Sequence, residues 1–170
     1  MKRFQWVILF LVLFGVPVWG AGFRDAGSLY SVYIPDNWIY QAKESSPELN
    51  VFYGSGEDEL LYFEVLENVL AESSEAFATA ALELYAAPGG LPGFELVENL
   101  SAVEVDGVVG ARCVYTYKDG KDRLLWEERI FLLLPDQRGF SLAYGSAGPR
   151  DDGSSLLSEI VRGWRWSFEN

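Results

Sequence analysis

Histidine is absent from this chain of 170 residues, and cysteine occurs once. Without histidine there is no Ser-His-Asp triad, no histidine-ligated zinc and no imidazole to move protons near neutral pH. A single cysteine excludes an intrachain disulfide and a cysteine-cluster metal site. Basic residues are scarce: 13 Lys and Arg stand against 25 Asp and Glu, a formal net charge of −12. A chain this acidic, with no basic stripe, does not suit nucleic acid or an anionic membrane surface. No phosphate-binding loop, dinucleotide fingerprint or nucleophile elbow occurs either, so no cofactor and no metal is expected. Disordered and collagen-like classes are excluded by a composition that is 49% hydrophobic and 22% charged. What is abundant is aromatic: six Trp, nine Tyr and eleven Phe, residues suited to strands and a well-filled core.

The N-terminus reads as an address. Lys2 and Arg3 precede the apolar run 4–18, and Val18-Trp19-Gly20 before Ala21 gives a small-x-small cleavage pattern. Residues 1–20 are therefore expected to be a signal peptide; the alternative is an uncleaved anchor helix of marginal spanning length. Loss of Lys2 and Arg3 with the leader takes 13 basic residues to 11 and the net charge from −12 to −14. The rest is expected to be exported to the periplasm or the exterior, with a short linker at 21–27 and a single domain at 28–168. Cys113, inside an apolar stretch and without histidine to activate it, reads as a buried strand residue.

Period-two alternation and turn residues place strands at 29–35, 38–43, 49–53 and 60–66. The period then changes. Ser73 or Ser74 caps a helix on which Phe77, Ala80, Ala81, Leu84 and Tyr85 form one face, ended by Pro88-Gly89-Gly90. Strands follow at 95–105, 108–117, 123–134 and 139–144. The first two are joined by Asp106-Gly107, a hairpin signal, and the next pair by Lys118-Asp119-Gly120-Lys121. A second helix carries Leu156, Leu157, Ile160, Val161 and Trp164 on one face, before a short strand or tail at 164–168. The expected class is α+β: an α-β-α sandwich with a mostly antiparallel sheet of six or more strands, including this meander, and two amphipathic helices.

The string Tyr30-Ser31-Val32-Tyr33-Ile34-Pro35-Asp36-Asn37-Trp38, the helix after the first strands, the meander, and the closing Ile160-Val161-Arg162-Gly163-Trp164-Arg165-Trp166-Ser167-Phe168 resemble the PsbP-like fold family, which includes the photosystem II subunit PsbP and DcrB-type envelope proteins. The resemblance covers about residues 28–168 at the level of architecture. It implies non-enzymatic work as an accessory or partner-binding protein, and it supplies no catalytic residues.

Several groups qualify as sites by residue type. The loop Glu57-Asp58-Glu59 offers oxygen ligands suited to calcium, but adjacent carboxylates lack the alternating spacing of a calcium loop, and a solvated hairpin tip is the simpler account. Asp151-Asp152 reads as a charge pair before a helix. Glu127 and Arg129 share one strand face while Glu128 takes the other. With Glu64 and Glu67 these offer carboxylates for acid–base work, although cross-strand pairing with Arg112, Arg123 or Arg129 is the commoner use. Ser31, Ser101 and Ser141 lie in strands without evident partners, and Asn99-Leu100-Ser101 is a glycosylation sequon. Trp166, flanked by Arg162 and Arg165, is a candidate partner surface if its ring is exposed.

The expectation is an exported, non-enzymatic accessory domain of the cell envelope whose protein partner presents a basic surface. The alternative is a carrier of a small hydrophobic ligand or lipid in a cavity between sheet and helix. A carboxylate enzyme is the remainder.

Overall fold

The computed structural model describes residues 21–56, 58–148, 150 and 156–168. Residues 1–20, expected to be a signal peptide, and Glu57 and Asp151-Asp152 lie outside them.

Ten strands and two helices follow the chain: β1 (Ala21–Arg24), β2 (Tyr30–Ile34), β3 (Ile39–Tyr40), β4 (Leu49–Tyr53), β5 (Leu60–Leu66), α1 (Ser74–Ala86), β6 (Glu95–Val105), β7 (Val108–Lys118), β8 (Leu124–Leu133), β9 (Gly139–Ser146), α2 (Leu156–Gly163) and β10 (Arg165–Trp166). Seven strands form one antiparallel sheet in the order β3-β4-β5-β9-β8-β7-β6, and β1-β2-β10 form a small second sheet. The fold is α+β with open sheets, as the alternation and the meander indicate.

The meander is built by its turns. Asp106 and Gly107 both have positive φ, 47° and 84°, which a two-residue hairpin of primed type requires, and Val105 pairs directly with Val108. In the next turn the Asp119 carboxylate accepts from the backbone N–H groups of Lys121 and Arg123 and pairs with the Arg123 side chain.

Two cores lie on opposite faces of the large sheet. On one face, α2 and the small sheet enclose Tyr30, Phe63, Phe140, Trp164 and Trp166. Tyr30 stacks on Trp164 at 4.3 Å between ring centroids. On the other face α1 covers Ala111, Cys113, Tyr115 and Phe131 with Phe77, Ala78 and Leu82. Ser73 is its N-cap, accepting from the Ala76 N–H at 3.1 Å. Gly139 lets Phe77 approach β9; a Cβ there would sit 3.0 Å from the Phe77 ring and 2.6 Å from Val69.

Three expectations need correction. Residues 21–27 are not all linker, because Ala21–Arg24 pair with β2 from Ala21↔Ile34 to Arg24↔Ser31. Phe23 explains this by packing edge-on against Phe52 at 5.0 Å, a long-range contact that no local pattern shows. The strand expected at 38–43 is only Ile39–Tyr40, since Gln41 opens a turn whose carbonyl accepts from Glu44 and Ser45. The buried face of α1 is rotated: Phe77, Ala78 and Leu82 are buried and Ala81 and Tyr85 half-buried, whereas Ala80 is exposed and Leu84 is 70% exposed. Tertiary packing chose between two apolar stripes that local periodicity could not separate.

A candidate binding cleft around Arg129

Register aligns the polar side chains of the α1 face. Tyr62 pairs with Ala143, Ala143 with Arg129 and Arg129 with Cys113 across four strands. One row over, Gly145 lies opposite Glu127 and Glu127 opposite Tyr115. Glu64 lies opposite Ser141, and Ser141 opposite Phe131. Pleating sends all these residues to one side.

The result is a buried charged network. Arg129 and Glu127 are 7% and 4% exposed. Arg129 Nη2 donates to Glu64 Oε2 at 2.6 Å and to Ser141 Oγ at 2.8 Å. Its Nη1 donates to the Tyr62 hydroxyl at 3.0 Å and lies 3.6 Å from Glu127 Oε1. The hydroxyls of Tyr62 and Tyr115 donate to that same carboxylate oxygen. Rings of Tyr62, Tyr85 and Phe131 lie 5.2 to 5.7 Å from the guanidinium carbon, in cation–π range. Arg129 Nε is buried with no hydrogen-bond partner among the described residues.

These surroundings fix the protonation states. Burial opposes the Arg129 charge, but Tyr62 and Glu127 outweigh it and hold the guanidinium charged well beyond its usual range. Burial raises the phenols of Tyr62 and Tyr115 far above the usual value, with Glu127 adding to the effect, so both remain donors. Burial pushes Tyr117 up to about 12. Cys113, wholly buried, is also pushed up to about 12 by burial. It is the strand residue expected, and a poor nucleophile.

α1 lies over β8, β7 and β6. Beside it, the β4–β5 half of the same face opens as a cleft of about 550 Å³. Glu64, Glu127, Arg129 and Tyr62 line it from the sheet, Phe77, Ala81 and Tyr85 from α1, and Glu44, Tyr53 and Leu60 at its outer end.

Other candidates fall elsewhere. Glu128 sits on the opposite face, 2.5 Å from Arg112, which also pairs with Glu98 at 2.8 Å. Glu67 is exposed and lies outside the network. Asp58 makes a two-oxygen pair with Arg123, at 2.8 and 2.9 Å, and Glu59 accepts from the Gly56 N–H, so these carboxylates do not converge. Among the described residues no group of three or more acidic or cysteine side chains is placed to hold a metal ion. Ser141, expected to lack a partner, is tied to Arg129.

Trp166 is buried rather than an exposed anchor. Its indole N–H donates to the Val105 carbonyl at 2.8 Å, and its backbone N–H to Asp106 Oδ2 at 2.8 Å. Arg162 and Arg165 are exposed, with Arg165 3.8 Å from Asp106. The three residues therefore do not form an aromatic patch. The sequence reading missed the tyrosines. Their signal was a polar pattern at spacing two on a face that should be apolar: Tyr62 and Glu64, Tyr115 and Tyr117, Glu127 and Arg129.

A scan of protein-family models gives no match, and no curated protein matches. Solved structures do. The Ran-binding protein Mog1p of Saccharomyces cerevisiae aligns with a TM-score of 0.63 at 13% identity, covering 86% of this chain and 94% of its own. Cyanobacterial PsbP (CyanoP) from Synechocystis aligns at 0.63 with 20% identity, over 89% and 95%. LpqN of Mycobacterium tuberculosis, involved in cell envelope biogenesis, aligns at 0.55 with 15% identity, over 89% and 86%. The chain has a PsbP-like fold, and identities this low speak to fold alone.

Proposed function

We propose that this chain is an exported, non-enzymatic domain of the cell envelope that binds a protein partner with a basic surface. The observation that carries the reading is the open half of the α1 face. Along it Ile39, Tyr53 and Leu60 lie in one register row, with Ile39 65% and Tyr53 38% exposed beside the charged cleft. Exposed aromatic and aliphatic side chains beside charged groups are the composition of an interface. The name of one structural neighbour states that it binds Ran, and that of another refers to envelope biogenesis. Export rests on the leader-like residues 1–20. Among the described residues no helix is long and apolar enough to cross a membrane. The net charge of −12 favours encounter with a basic surface, at an on-rate that falls as salt rises.

The same cleft is what favours the second reading, a carrier of a small hydrophobic ligand. Its floor argues against that reading, because an apolar ligand would be set against Glu64 and Arg129 without answering their hydrogen bonds.

In-cell crosslinking of the tagged chain, followed by mass spectrometry, tests the proposal. One partner recovered in near-equal amount is expected. Recovery of the chain alone, with a co-purified small molecule, would replace the partner reading with the carrier.

A further inference from the structure

A basic partner surface can meet the cleft through several kinds of group. We infer that the cleft beside α1 receives a lysine or arginine side chain of the partner, presented on an extended segment with apolar neighbours. The inference rests on the partner reading and names its site.

Charge balance is the first argument. Glu44, Glu64 and Glu127 line the cleft against one cation, Arg129. Glu64 commits Oε2 to Arg129 and Ser141, while Oε1 has no hydrogen-bond partner among the described residues. Its side chain is 35% exposed, so an incoming cation reaches it. The second argument is aromatic. The chain already holds a guanidinium among the rings of Tyr62 and Tyr85 at 5.3 and 5.7 Å. Tyr53 lines the same cleft farther out and offers a second cation a ring to rest on. The third argument concerns what else the occupant brings. A free amine fills only the charged end of the cleft, whereas a polypeptide segment carries neighbouring side chains as well. Its apolar neighbours would rest on Ile39 and Tyr53. A volume of about 550 Å³ holds one long side chain and the residues beside it.

The test is NMR titration of the protein, purified as the cell produces it, with blocked pentapeptides that carry Lys, Arg, Gln or Glu between two leucines. The Lys and Arg peptides should shift the amide resonances of Tyr62, Glu64 and Tyr85, and the Gln and Glu peptides should not. E64Q should weaken the Lys peptide about fivefold, and Tyr53→Lys at the rim should abolish its binding. Both positions are partly exposed, so the native spectrum outside the cleft serves as the folding control. Equal response to the Gln peptide, shifts confined to another face, or n-butylammonium binding as tightly as the peptide would overturn the inference. A crosslinked partner whose recovery is unchanged by E64Q and Tyr53→Lys would sink the cleft assignment and leave the partner reading standing. Absence of any crosslinked partner would sink the partner reading whatever the peptides do.

Discussion

The two faces of the large sheet are closed by different physics. The face under α2 and the small sheet is aromatic and sealed: Tyr30, Phe140 and Trp164 are wholly buried, and Trp164 packs against Tyr30, Phe63, Phe140 and Trp166. The face under α1 is half covered. It buries Glu127 and Arg129 and leaves Glu64 and Tyr53 at a cleft. A sealed aromatic layer gains stability from area removed from water. A buried ion network gains little net stability, because desolvation offsets the Coulomb attraction, yet it is costly to break. The first face holds the fold together, and the second holds charged groups in place where something else can reach them.

This contrast can be broken most severely at Trp164. Trp164→Ala should cost about 4 kcal/mol, by removing a fully buried ring and leaving a cavity. Urea unfolding measures it, and a cost below about 1 kcal/mol would mean that the layer relaxes to fill the gap. Next is Arg129→Ala, expected to cost about 3 kcal/mol because Glu127 is left buried without its cation. The contrast sharpens if Arg129→Met with Glu127→Leu and Glu64→Leu restores most of that loss, since a fully apolar replacement strands no charge. No restoration would show that the network itself stabilises the face.

A smaller effect is expected where α1 is fastened. Ser74 Oγ donates to the Val109 carbonyl at 2.7 Å and accepts from the Leu133 N–H at 2.9 Å. Ser74→Ala should cost about 1–2 kcal/mol and leave the aromatic face unchanged. Amide exchange should accelerate in α1 and not in β2 if the two faces are energetically separate.

The pH responses act through single buried or ion-paired groups. Cys113, on the α1 face, titrates near 9.0 when unperturbed and is pushed up to about 12 when folded. A raised folded value means that the thiol's contribution is complete below pH 9 and is lost as pH rises from there through about 12. Cys113→Ala should make the loss shallower between about pH 9 and 10, before the raised tyrosines join it, and in the native protein a disulfide exchange reagent should label Cys113 only as fast as the chain opens. At the acid end, hydrogen bonds from Arg112 and Arg150 hold Glu98 below its usual range. A lowered folded value means that its contribution is present above the unfolded carboxylate value, about 4, and is lost as pH falls below it. E98Q should reduce the acid-side slope slightly, because Glu98 is partly exposed and screened.

Much of the architecture was legible in the chain because its causes are local. Alternation marked the strands from β4 to β9, Asp106-Gly107 fixed a turn whose φ values few other pairs adopt, and the apolar face of α2 fell where its spacing put it. Legibility ended where distant segments had to meet. β1 is four residues with one large apolar side chain, and it is a strand because Phe23 finds Phe52.

For the candidate site the division is similar. Alternation within β8 already placed Glu127 and Arg129 together and Glu128 apart. The insertion of β9 between β5 and β8 brings Glu64, Tyr62 and Ser141 to Arg129, and no one-dimensional pattern states which strands are neighbours. Trp166 shows the converse: two flanking arginines suggested a surface, and the pairing of β10 with β2 turned the ring inward. Composition and alternation set the class of the fold and the absence of histidine chemistry, because those depend on residue types and nearest neighbours. Strand order, the rotation of α1 and the assembly of the Arg129 cleft depend on contacts between separate elements of the chain, such as α1 with β8 and β5 with β9, and only the folded chain decides them.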